Sequence, residues 1–360
     1  MTNSNSILPS PPSSPIEATP RKRSYSISFI QNETSQEPIK KHRTINSDTL
    51  RIYLEKQGSP NTCDQHHYRS LLSWACIGRS AESIEQLMDC NHLDINLPSG
   101  PHHTTALHEA CLAGFTQGVK LLLQHPDIDV NKLDGRGRTA VHCATQSNHL
   151  ACLQLLYQMG HARLDLFCGE GRLAIHTAVL YGYHDCVEFL LASNSPIDMI
   201  NTVNTLDYKS TLELAIVAGY SSTLELLLQH SSGHQKKTGL VSLAVEWNRI
   251  ECLQLLIQYG CCLDDNSLLK AVQQRKIDMV RALINAGAQP CLSSGYNPSF
   301  LYAANHGFLN MIPLLLTLNT SKSCIQQAFV LASTIGLRDP LTSVIVQTLK
   351  SLATKKYQKK

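Results

Sequence analysis

The chain lacks the features that would place it in a membrane, a secretory pathway or a metal-binding family. No uninterrupted apolar run is long enough to cross a bilayer. The N-terminus is polar and offers no hydrophobic signal segment. Thirteen cysteines are present, but none forms a Cys-x-x-Cys pair. An odd number of cysteines, many inside apolar runs (Cys152, Cys186, Cys252), points to reduced buried thiols and an intracellular setting. His108-Glu109 is followed by Leu112 where a metalloprotease needs its second histidine. Gly135-Arg136-Gly137 and Gly169-Glu170-Gly171 lack the rest of a phosphate loop or dinucleotide fingerprint. No Ser/His/Asp arrangement is tied to a catalytic elbow. These absences argue against an enzyme, a metal site and a cofactor.

Charge is also sparse. Charged residues make up 16% of the chain, and the net charge is +3. Its placement is uneven. Residues 1–62 hold eight Lys/Arg and five Asp/Glu, and residues 350–360 hold five lysines and no acid. The body between them is therefore mildly acidic, which disfavours phosphate-backbone binding by it. Aromatics account for only 6%, whereas leucine and alanine are abundant. That composition suits closely packed helices.

Residues 1–46 are rich in Ser, Pro, Thr and Asn and poor in large apolar side chains. Such a segment cannot bury enough surface to offset its ordering entropy, so it is expected to be a disordered tail. Residues 47–62 should form a short helix and a linker, with Ser47 as N-cap. A repeat then begins. Thr105-Ala-Leu-His-Glu-Ala110, Thr139-Ala-Val-His-Cys-Ala144 and Leu173-Ala-Ile-His-Thr-Ala178 recur every 34 residues. The final alanine anchors a longer series: Ala75, Ala110, Ala144, Ala178, Ala215, Ala244, Ala271, Ala303 and Ala332. The intervals are 35, 34, 34, 37, 29, 27, 32 and 29. Four residues past the anchor stands Gly114, Gly182, Gly219, Gly307 or Gly336, or Asn148 or Asn248. These residues suit a left-handed helix C-cap. A second apolar run with helical spacing follows each time, as in Leu150–Leu156 and Ile250–Ile257. Each unit thus reads as helix, tight turn, helix. Stretches such as Asp129–Arg138 supply hairpin chemistry between units. One unit is too small to bury its own apolar face, so neighbours must stack.

These residues resemble the ankyrin repeat. Val130-Asn131, Asp134, Gly137 and Thr139 to Ala144 follow its motif, and the match is strongest over 100–195. The resemblance implies an all-α solenoid of about nine stacked repeats with β-hairpin-like loops over 63–352, the later repeats degenerate, then a basic tail at 353–360. There are departures. Ala106, Ala140 and Ala174 replace the family's proline, and the intervals of 27 and 29 are too short for a full finger. The interval of 37 implies a longer loop near Ser193–Tyr208. Pro313 falls inside a second apolar run and is expected to kink that helix.

The resemblance also implies that His108, His142 and His176 bond the backbone of neighbouring loops. A metal reading fails on distance, because stacked helices lie roughly 8–10 Å apart and zinc ligands sit near 2.1 Å from the ion. The implied function is a protein-binding adaptor or regulator, with no small-molecule substrate, that recognises a protein through a concave face. A monomer, cytoplasmic or nuclear, is expected. By register that face carries Arg136, Arg138, Gln146, Ser147, Arg172, Leu180, Tyr181 and Trp247. Arginine and aromatics are enriched among interface hot spots. The N-terminal tail adds Arg21-Lys22-Arg23 and Lys40-Lys41-His42-Arg43, which resemble a two-part nuclear-import signal. Ser10, Ser14 and Thr19 precede prolines, and Ser24 and Ser26 follow arginines by three residues, so all five are candidate phosphorylation sites. Two alternatives stay open: a nucleic-acid-associated transcription regulator using the basic tails, and a substrate receptor of a ubiquitin ligase.

Overall fold

A computed structural model describes residues 47–193, 198–205, 208–231, 238–263, 266–291, 294, 296–317 and 319–358. The candidate phosphorylation and nuclear-import residues of the tail lie outside the described residues. Among the described residues there are nineteen helices and no strand, only isolated antiparallel bridges such as Ser99 with Thr104. The expected all-α fold is present, and among the described residues three of the loops between repeats are turns closed by a single bridge, Cys63 with Ser70, Ser99 with Thr104 and Val203 with Ser210.

Contacts divide the chain into two units, residues 1–211 and 212–360. In the first unit, α1 is Ser47–Glu55. The first helices of successive repeats are α2 (Leu71–Ile77), α4 (Ala106–Ala113), α6 (Ala140–Gln146) and α8 (Ala174–Tyr181). Their second helices are α3 (Ala81–Met88), α5 (Thr116–Leu123), α7 (Leu150–Gln158) and α9 (His184–Ala192). First helices pack on first helices, and second on second. The second unit contains α10 (Thr211–Ala218), α11 (Ser221–His230), α12 (Leu240–Glu246), α13 (Ile250–Gln258), α14 (Ser267–Gln273) and α15 (Ile277–Asn285). It continues with α16 (Pro298–Asn305), α17 (Ile312–Leu315), α18 (Lys322–Thr334) and α19 (Arg338–Gln358). Here too α12, α14, α16 and α18 form one layer, and α11, α13, α15, α17 and α19 the other.

The nine anchor alanines explain the close packing of the first helices. All are fully or almost fully buried. A methyl group is the largest side chain that leaves room for the next helix, because inserting methylenes into a packed core costs about 1–3 kcal/mol. Leucines of the second helices (Leu122, Leu156, Leu190, Leu256, Leu283) fill the space behind them.

Every residue four past an anchor adopts a left-handed backbone, with φ between 55° and 85°. Seven of these are the expected glycines and asparagines. The other two, Arg79 and Arg275, carried no such signal in the sequence. Each pays roughly 1–2 kcal/mol for that conformation, and each has a compensating contact. The Arg79 guanidinium donates to the Ala113 carbonyl of the next repeat. The Arg275 guanidinium lies 4.4 Å over the Phe308 ring.

Fifteen residues separate Gln158 from Ala174, but only eight separate Gln258 from Ser267. The later units thus lack room for a full finger, as the short intervals implied. Eighteen residues separate Ala192 from Thr211, which matches the interval of 37. Pro313 does not kink a helix. It occupies the second position of α17, a single turn of four residues. A proline is tolerated there because that N–H has no intrahelical acceptor. The last helix, α19, runs on through residues 353–358, the stretch expected to be a tail.

Candidate functional site

Successive fingers of the first unit are joined edge to edge by backbone hydrogen bonds. The N–H of Gly100 donates to Tyr68 O, Gly135 to His102 O (2.7 Å), Gly169 to Arg136 O (3.0 Å) and Thr205 to Gly171 O (3.0 Å). Gly169 permits this approach, since a Cβ there would sit 2.4 Å from the Arg136 carbonyl oxygen. On the opposite side, Asn61, Asn96 and Asn131 each accept an N–H from the following loop, at Asp94, Asp129 and Arg163.

Three histidines bridge repeats through both ring nitrogens. His108 Nδ1 accepts from the Thr105 N–H (3.3 Å), and its Nε2–H donates to the Arg138 carbonyl (2.9 Å). His142 does the same between Thr139 (3.3 Å) and Arg172 (3.1 Å), and His176 between Leu173 (3.0 Å) and Thr202 (2.9 Å). The acceptor role of Nδ1 fixes the neutral Nε2–H tautomer. Burial pushes the pKa of His108 down and that of His142 down to about 4, so both rings are neutral at physiological pH. No described group of three or more His, Cys, Asp or Glu is placed to hold a metal ion. All thirteen cysteines are free thiols. Burial raises Cys143 to about 12 and Cys152 to about 11, so neither supplies a thiolate.

The finger over residues 134–138 is built around Asp134, whose side chain is fully buried. Its Oδ1 accepts the N–H groups of Arg136 (2.9 Å) and Arg138 (2.8 Å), and its Oδ2 accepts Arg138 Nε (2.9 Å). Burial alone would raise this carboxyl, but the hydrogen bonds from Arg138 and Arg136 outweigh it and hold the pKa below the ordinary range. Asp64 organises the first finger in the same way, accepting from His67 N and Arg69 N. Arg138 is therefore committed twice, to Asp134 and through Nη1 to Gln146 Oε1 (2.6 Å). It shapes the face more than it offers a free cation.

Arg136, Arg138, Gln146, Arg172 and Tyr181 come together. With His142, Cys168, Glu170 and Thr177 they line one groove of about 100 Å³ between adjacent fingers and first helices. Arg136 and Gln146 are exposed, and Tyr181 is 39% exposed and stacked on Tyr183. Ser147, the C-cap of α6, and Leu180 are half-buried and do not line the groove. Trp247 is 41% exposed at the end of α12, in the second unit. Sequence reasoning missed Cys168 and Thr177, which carry no interface signature. It also missed an open apolar groove of about 720 Å³ in the second unit, lined by Tyr296, Leu301, Tyr302 and Val330 among others. The weak repeat signal after residue 261 hid the register that brings these residues together.

The chain matches the family described as ankyrin repeats in three copies, over residues 42–134, 127–202 and 212–294. The chain belongs to the ankyrin-repeat family. It is 25% identical over 256 residues to the "Ankyrin repeat protein nuc-2" of Neurospora crassa, an alignment covering 68% of this chain. It spans about a quarter (24%) of the length of that relative. Among solved structures, the ankyrin repeat domain of Bcl-3, titled a unique member of the IkappaB protein family, aligns with a TM-score of 0.53 at 21% identity. That alignment covers 60% of this chain and 98% of the other. The likeness to Bcl-3 is one of fold. The ankyrin repeat is a non-enzymatic fold that generally mediates protein–protein interaction. No described helix is long and apolar enough to cross a membrane.

Proposed function

We propose that this ankyrin-repeat chain is an adaptor or regulator that holds a protein partner on the finger-and-first-helix face of its first unit. The observation that carries the reading is the groove that gathers Arg136, Arg138, Arg172 and Tyr181 on rigid elements. Arginine and tyrosine are the residues that most often dominate interface energies. The inter-finger hydrogen bonds hold them in place before binding, which reduces the ordering cost of association. Trp247 is a candidate for a second contact on the other unit.

Affinity capture with the full chain tests the reading, using Arg136→Ala/Tyr181→Ala as the comparison. Neither side chain is buried, so the variant should keep its fold. A partner retained by the native chain and lost by the variant supports the proposal. Partners retained equally by both would remove this face from consideration. We further propose that the basic clusters of the tail, Arg21–Arg23 and Lys40–Arg43, direct nuclear import. The fold likeness to a member of the IkappaB family is compatible with a regulatory role.

A further inference from the structure

The groove between the third and fourth fingers has a definite chemistry. Three of its lining residues are arginines and one is a glutamate. Arg138 is neutralised by Asp134 beneath it. Arg172 pairs with Glu170 at 3.2 Å, but the Glu170 side chain is 67% exposed. Such an exposed pair contributes little and exchanges readily with other anions. Arg136 donates to the His102 imidazole at 3.2 Å, and no described carboxylate lies within 4 Å of it. The groove therefore holds one cation without an acidic partner and a second whose partner is replaceable.

The surroundings have the opposite sign. Residues 47–211 carry eleven Lys/Arg against seventeen Asp/Glu. A small positive site in an acidic unit does not suit a long phosphate backbone, which needs several cations in a row. It does suit a single acidic side chain presented by a protein. Size points the same way. About 100 Å³ is less than the roughly 150 Å³ that admits a benzene ring, yet it holds a carboxylate with its methylene stem. Tyr181 forms the rim of the same groove and offers a flat apolar surface to the neighbouring residue. Arg172 is only 17% exposed along its side chain. Its guanidinium thus works in a partly dehydrated wall, where charge-assisted hydrogen bonds are stronger.

We propose that this groove is a docking site for an acidic segment of a partner protein. One Asp or Glu side chain displaces Glu170 from Arg172, with Arg136 as the second cation and Tyr181 packing against an adjacent apolar residue. Glu170 is the built-in competitor that keeps the site occupied when no partner is present. This inference rests on the binding face proposed above and adds the chemistry of what that face recognises.

The test measures fluorescence anisotropy of the full chain with a short labelled peptide alternating glutamate and leucine. The counterpart peptide carries lysine for every glutamate. The glutamate peptide should bind and the lysine peptide should not, and affinity should fall as salt is raised. Arg172→Gln and Arg136→Gln should each weaken binding about tenfold, and Glu170→Gln should tighten it about threefold. Tightening cannot arise from misfolding, so this variant keeps the proposal testable even if an arginine variant is unstable. Absence of binding to the native chain, equal binding of the lysine peptide, or an unchanged affinity in Glu170→Gln would each overturn the proposal. A single-stranded oligonucleotide that binds with the same dependence on Arg136 and Arg172 would overturn it in favour of a phosphate ligand. Repeating the capture with Tyr181→Ala alone as the comparison removes no charge, so its outcome does not depend on partner charge. Capture lost with Tyr181→Ala alongside failure of the acidic peptide would leave the face standing and remove the acidic chemistry.

Discussion

Acidification should loosen the first unit, with His142 the main quantifiable cause. Its pKa falls from an ordinary 6.5 to about 4 on folding, because burial disfavours the charged ring. Below pH 6.5 the unfolded chain binds a proton that the folded chain refuses. The contribution of the neutral ring is therefore fully present above pH 6.5, declines as pH falls, and levels off below about 4. At pH 5 the loss is about 2 kcal/mol, from 1.5 pH units at about 1.36 kcal/mol each. Burial shifts His108 in the same direction, so the total loss should exceed this figure. Urea unfolding followed by tryptophan fluorescence reads the effect. Trp74 is buried in the first unit and Trp247 is exposed in the second, so Trp247→Phe leaves Trp74 as the reporter of interest. In that background, His142→Gln should cost about 1–3 kcal/mol at pH 7 through lost hydrogen bonds. The gap between the two proteins should shrink by about 2 kcal/mol at pH 5, since glutamine does not titrate. A gap equal at both pH values would refute the assignment of His142 as a neutral bridge.

Three further changes test the framework. Asp134→Asn should destabilise the first unit by about 3 kcal/mol, because it leaves Arg138 facing an amide instead of its buried partner; denaturant midpoints measure it. Gly169→Ala should cost about 2 kcal/mol, since the added methyl collides with the Arg136 carbonyl and forces adjacent fingers apart. Faster amide exchange at Gly169 would be its local signature. Alanine at Arg21–Arg23 and Lys40–Arg43 should move a fluorescently tagged chain out of the nucleus, and an unchanged distribution would dismiss the import signal.

Much of this architecture was legible because the repeat writes its packing constraints into fixed positions. The anchor alanines mark where helices come closest, and the glycines and asparagines mark where the backbone must turn left-handed. The His108, His142 and His176 pattern came with the family resemblance. Other features carried no local signal. Arg79 and Arg275 occupy left-handed positions because of contacts to Ala113 and Phe308 that only the stacked repeats create. The kink expected at Pro313 is absent because α17 shrinks to one turn. The register after residue 261 rests mainly on alanines, apolar runs and an occasional glycine, which do not reveal that shortening. At the candidate site, the register placed Arg136, Arg172 and Tyr181 on one face. It could not reveal that Arg138 turns back to Asp134, or that Glu170 sits against Arg172. Each pairing lies within one finger, four and two residues apart, and depends on side-chain directions that the repeat register does not fix.

Site-specific photocrosslinking tests the central claim of a binding face on the first unit most directly. A photoreactive phenylalanine analogue would replace Tyr181 at the groove rim in one sample. In another it would replace Gln158, exposed at the end of the second helix α7. The full chain would then be irradiated in the cells that express it. The account predicts a discrete crosslinked partner from position 181 and none from position 158. A partner captured from position 158 and absent from position 181 would contradict it.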